Sequence, residues 1–147
     1  MRSLLDINIL IALLDPKHIF HSDAHTWWSM RGDLQWASCP LTENGLLRIM
    51  SNPRYDKHKQ FSFTELAKLL GDFARDTQHE FWPDDISLLD DSIIPSNIIL
   101  GSKLITDTYL LALAVKNNGR LVTFGAKISR STVIGATAKN LSVISVA

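Results

Sequence analysis

The sequence predicts an α/β domain in which helices wrap a parallel sheet. Short apolar runs rich in leucine and β-branched residues alternate with stretches of helical periodicity, and the alternation spans the chain. The 147 residues, 46% hydrophobic and 20% charged, suit one domain (1–147) with a real core.

Arg2 to Leu5 is a short apolar run ending at Asp6, and Ile9, Leu10, Leu13 and Leu14 then mark a helix that Pro16 stops. His21 to Met30, carrying Trp27 and Trp28, suits a second helix; Gly32-Asp33 turns the chain into a strand over Leu34 to Cys39. Leu46, Leu47 and Met50 predict a helix over Leu41 to Met50 with Thr42 at its start, which puts Glu43 in the first turn. Ser51-Asn52-Pro53-Arg54 closes that helix, and Leu66, Leu69, Leu70 and Phe73 share one face of the next, Thr64 to Phe73. Glu80 to Trp82 is a third strand, Asp84 to Leu89 a short helical turn, and Asp90 to Ser102 an irregular connection with one helical turn. Thr106 to Asn118 is the clearest helix, with Thr106 as N-cap, Leu110, Leu113 and Ala114 on its buried stripe and Asn118-Gly119 as its stop. Leu121 to Phe124 and Leu141 to Val146 complete the strands, and no repeat or linker interrupts the series.

Fifteen basic and fifteen acidic residues cancel, so no global basic field marks a nucleic-acid partner, and any such contact must be local. The apolar run from Ile7 to Leu14 is far too short to span a membrane, and Asp6 interrupts the opening stretch as a secretory signal; the cytoplasm is the expected location. Cys39, the single cysteine, has no internal disulfide partner and reads as a small buried hydrophobe.

Polar groups at the carboxyl ends of parallel strands face one crevice. Asp6 ends the first strand, Glu43 opens the helix after the second, and Asp107 opens the helix before Leu121, so three carboxylates are expected at one edge of the sheet. Magnesium and manganese want oxygen ligands, keep several waters, and bind through a few carboxylates plus a substrate phosphate. Without an ion the three charges would raise one another's pKa values and repel a phosphodiester; with one, the cluster attracts RNA and activates a water for in-line attack.

The segments Leu4-Leu5-Asp6-Ile7-Asn8-Ile9-Leu10, Thr42-Glu43-Asn44-Gly45-Leu46-Leu47-Arg48, Ile105 to Ala114 (ITDTYLLALA) and Leu121-Val122-Thr123-Phe124 resemble, in order and over nearly the whole chain, a PIN-domain protein of the VapC toxin type. The resemblance implies a three-layer α/β/α sandwich with a central parallel sheet and magnesium-dependent endoribonuclease activity, with manganese able to substitute. It also implies membership of a toxin–antitoxin pair, a VapB-like antitoxin that blocks the site, and a homodimer. Asp6, Glu43 and Asp107 match the family's metal-binding acids, and Asn8, Thr106 and Thr123 match polar positions beside them. One position departs: the family continues Thr-Phe with an aspartate, where this chain has Gly125. A weaker metal site is the expected consequence, and a catalytically silent scaffold that binds antitoxin or RNA is the alternative.

His21 and His25, four apart, lack a third ligand motif and read as a solvated helix face. Trp27, Trp28, Trp36 and Trp82 read as packing residues. Arg48, Arg54, Lys57, His58 and Lys59, interleaved with Tyr55, form the densest basic stretch; Arg48, Arg54, Lys57 and Lys59 are candidates for RNA-backbone contact if they border the crevice. There is neither a glycine-rich phosphate loop nor a nucleophile elbow, and Ile7-Asn8 lacks the second acid of a phospho-acceptor site.

Overall fold

The computed structural model describes residues 1–125 and 127–146. Five strands, β1 (Ser3–Leu5), β2 (Trp36–Ser38), β3 (His79–Phe81), β4 (Arg120–Thr123) and β5 (Leu141–Val143), form one all-parallel sheet in the order β3-β2-β1-β4-β5. The register pairs Ser3 with Trp36 and Arg120, Trp36 with His79, and Leu121 with Leu141. The chain starts at the middle strand, winds outward to β3, then crosses β1 to reach β4, so a topological switch lies between β1 and β4.

Helices cover both faces. On one lie α1 (Ile7–Leu14), α2 (His21–Met30), α3 (Pro40–Ser51) and α4 (Phe63–Arg75), packed over Leu5, Trp36 and Val122. The other face carries α5 (Ile105–Lys116), whose Leu110, Leu111, Leu113 and Ala114 are buried with Leu4, Ala37 and Leu121. Alternate residues of the central strands β1, β2 and β4 feed opposite faces, which is why these three are buried almost throughout, while the edge strands β3 and β5 are not. Trp36 and Trp82 are buried and Trp28 packs on Trp36, so the aromatics serve packing, as expected.

Several local expectations need correction. The third helix starts at Pro40, whose missing N–H costs nothing in a first turn; Cys39 is the N-cap, and Thr42 Oγ1 accepts from the Cys39 N–H at 3.0 Å. Thr106 is not an N-cap: a 3-10 turn over Ser102–Leu104 leads directly into α5 with Leu104 as cap, leaving Thr106 exposed. Asp84 to Leu89 forms no helix. Instead Asp84 bridges two helices, its Oδ2 accepting from Leu41 N–H at 3.0 Å and its Oδ1 from the Tyr109 hydroxyl at 2.7 Å. His21 and His25 do not simply face solvent. Their rings, 4.3 Å apart, meet the carbonyls of Ala12 and Leu13 at 2.7 and 2.9 Å, so they serve the otherwise unpaired end of α1.

Two glycines set close approaches. A Cβ at Gly45 would lie 2.5 Å from Ile7 Cδ1, so α3 rests on α1 beside Asp6. At Gly119 it would lie 2.8 Å from the Arg2 carbonyl and 2.6 Å from the Trp82 ring. Among the described residues no helix is long and apolar enough to cross a membrane.

Candidate active site

Asp6 sits where β1 gives way to α1, and it is the N-cap of that helix. Its two oxygens are fixed separately: Oδ1 accepts from Ile7 N–H at 2.7 Å and Oδ2 from the Thr123 hydroxyl at 2.6 Å. Thr123, the last residue of β4, reaches Asp6 because β1 and β4 are neighbours, and its Oγ1 also accepts from Gly125 N–H at 2.9 Å. Asp6 is only 7% exposed. Burial pushes its carboxyl above the usual range, against the lowering effect of the two hydrogen bonds.

Asp107 comes from the first turn of α5, where the helix dipole favours a carboxylate. Its pKa is also raised, by burial first and then by the negative charge of Asp6. The Asp6 charge therefore reaches Asp107 across the β1/β4 switch. Position 125 belongs to the same place: a Cβ there would lie 3.4 Å from Asp107 Oδ2 and 3.2 Å from Thr123 Oγ1. An acidic side chain at 125 would therefore start beside Asp107, and glycine leaves that space open.

Glu43 is arranged differently. Gly45 faces α1, and Glu43, two residues earlier and roughly 200° round the helix, turns away from α1. It lines a concavity of about 200 Å³ with Ser38, Leu47 and the α4 residues Ala67, Leu70, Gly71 and Ala74. Its Oε2 accepts from the Ser38 hydroxyl at 2.5 Å, and Ser38 Oγ is 2.7 Å from His79 Nε2. Since Ser38 spends its one proton on Glu43, His79 Nε2–H is the donor to Ser38. Burial lowers the His79 pKa, with Glu43 opposing the shift. Ser38 and His79 went unnoticed in the sequence. Strand alternation does put Ser38 on the face of Trp36, but nothing local links it to a residue 41 positions away.

Asn8 and Thr106 are exposed in the first turns of α1 and α5, at the same edge of the sheet as the acids. Arg48, Arg54, Lys57 and Lys59 are exposed but do not border that edge. Arg48 lies in the last turn of α3 and the others follow its C-terminus, about 12 Å of helix beyond Glu43. Lys59 is engaged with Glu65 at 3.5 Å and lies 5.0 Å over the Phe61 ring.

Among the described residues, no group of three or more His, Cys, Asp or Glu side chains is placed to hold a metal ion. The structure brings together Asp6, Asp107, Thr123 and the space at Gly125, and it leaves Glu43 on Ser38. A two-carboxylate, all-oxygen donor set still fits magnesium, which keeps several waters and takes one or two protein carboxylates plus substrate phosphate. The raised pKa values point the same way, because a divalent ion would offset the like charges of a buried and a half-buried carboxylate.

The chain is 41% identical over 144 residues to Ribonuclease VapC44 of Mycobacterium tuberculosis, an alignment covering 98% of this chain and 100% of that protein. It is 36% identical to Ribonuclease VapC39 of the same organism, over 92% of this chain and 96% of the relative. Among solved structures, VapBC2 from Rickettsia felis bound to a DNA fragment from their promoter superposes with a TM-score of 0.54 at 14% identity, covering 99% of this chain and 100% of that one, a likeness of fold. No family model matches the chain.

Proposed function

The chain belongs to the VapC ribonuclease family, and from that premise we propose that it is the toxin of a toxin–antitoxin pair, an endoribonuclease that cuts RNA in the cytoplasm with magnesium. The observation that carries the reading is the buried Asp6 with the half-buried Asp107 beside it at the β1/β4 switch. Asp6 and Asp107 would hold magnesium, or manganese in its place, and Glu43 would add the third carboxylate on exchanging the Ser38 hydroxyl for the ion. When bound, the ion supplies Lewis acidity: it acidifies a water and neutralises charge growing on the phosphate oxygens. Thr123 keeps Asp6 Oδ2 oriented, and the polar side chains of Asn8 and Thr106 lie along the edge where RNA arrives. A VapB-like antitoxin and a second copy of the chain are the proposed partners. The silent-scaffold alternative finds no support, since the full-length relatives are named ribonucleases.

The test is incubation of the purified protein with total RNA. Cleavage in magnesium or manganese that stops with chelator is expected; cleavage that persists in chelator, or no cleavage with either metal, would overturn the reading. Gly125→Asp adds a carboxylate beside Asp107, and it should lower the metal concentration for half-maximal cleavage by about tenfold. An unchanged metal requirement would separate position 125 from the ion.

A further inference from the structure

The loops that end α1 and α3 meet at the edge of the sheet opposite the acid pair. Both helices start at the carboxyl edge, pack together through Gly45 and Ile7, and run back across the sheet. Their ends enclose a concavity of about 400 Å³, walled by Lys17 and His18 on one side and by Tyr55, Lys57 and His58 on the other. The sequence separates these two groups by nearly forty positions, and only the fold joins them.

This concavity is built in advance. Asp15, 5% exposed, accepts from the Tyr55 hydroxyl at 2.5 Å and from Lys17 N–H at 3.0 Å, which pins the two walls to each other. The second wall is stiffened by two side-chain turns, Asn52 Oδ1 accepting from Arg54 N–H at 2.9 Å and Asp56 Oδ1 from His58 N–H at 2.8 Å. A smaller concavity of about 230 Å³ lies on the other side of Tyr55, lined by Arg48, Asn52 and Arg54.

The chemistry is that of a nucleotide rather than of a bare anion. Two lysines are balanced by Asp15 and Asp56, so the cavity is no deep positive well. What it offers is ammonium groups for a phosphate, flat imidazole and phenol rings for an unstacked base, and the half-buried Asp56 carboxylate to accept from base amino groups, the combination by which single-stranded RNA is read. Its volume lies in the range of small-ligand sites. We propose that this concavity is a nucleotide subsite that binds an RNA residue away from the scissile bond, with Arg48 and Arg54 guiding the adjoining backbone.

Resting on the ribonuclease reading, the subsite makes the protein a reader of extended RNA. The α1 helix separates it from Asp6 by about 12 Å, so a bound strand must span about three or four stacked nucleotides between them. Lys17, Lys57 and His58 are exposed, and their alanine variants leave the Asp15–Tyr55 bond intact.

The experiment measures RNA binding by fluorescence anisotropy in an Asp6→Asn background, and cleavage in the parent background, with single-stranded RNAs from two to twelve nucleotides. The triple variant Lys17→Ala/Lys57→Ala/His58→Ala should cut the affinity advantage of long over short RNA by about tenfold or more, and lower the log–log salt slope by about one per lysine removed. Equal losses for all lengths, or none, would overturn the subsite. Normal cleavage with no length effect would refute the subsite and leave the nuclease standing. Length-dependent binding without metal-dependent cleavage would do the reverse.

Discussion

Asp6→Asn should remove nearly all RNA cleavage. Asparagine keeps the size and the N-cap preference of aspartate, so α1 still starts at residue 7. What is lost is one of the three carboxylates proposed for the ion. A bound ion is worth several kcal/mol of charge stabilisation, and at about 1.4 kcal/mol per tenfold the rate should fall about a thousandfold. The same variant has a second signature without metal. Burial raises the Asp6 carboxyl above 3.8, and burial with the Asp6 charge raises Asp107 above the same value, so the folded chain holds protons that the unfolded chain releases. That contribution to stability is complete below about pH 4 and is lost as pH rises through the raised values. In Asp6→Asn one titrating group is gone and Asp107 loses its charged neighbour, so the decline of the metal-free melting temperature with pH should flatten. A variant that cut RNA normally, or kept the full decline, would contradict the pairing.

Trp36→Ala should cause the largest loss of stability. Trp36 is fully buried on β2, with the Phe73 ring at 5.2 Å, the His79 ring at 4.5 Å, and its indole N–H donating to Thr77 Oγ1 at 2.7 Å. Replacing a buried tryptophan by alanine costs about 3–5 kcal/mol, a fall on the order of 10 °C in Tm for a chain of this size. Trp27→Ala, which removes a partly exposed ring, is the comparison and should cost much less. Thermal unfolding by circular dichroism separates the two; similar losses would deny Trp36 its place at the centre of the core. Because His79 leans on Trp36 and supports Ser38, the change should also loosen Glu43.

The order of strands and helices was legible in the sequence because each strand ends at a polar or turn residue and each helix keeps an apolar stripe. Asp6 was legible for the same reason: an aspartate straight after the first buried strand must face the carboxyl edge. The orientation of Glu43 was not. It follows from the absence of a side chain at Gly45, which lets α3 settle on Ile7 and turns position 43 toward α4. Caps misled where neighbouring structure took over their role, as the 3-10 turn did ahead of Thr106. The basic stretch was visible as composition, but its distance from the acids depends on α3 running the full depth of the sheet.

Calorimetric titration of manganese into the metal-free protein reads the ion site at Asp6 and Asp107 itself. Saturable binding to the parent is expected, and Asp6→Asn and Asp107→Asn should each abolish it. Equal binding to the parent and both variants, or none to the parent at millimolar manganese, would contradict that site.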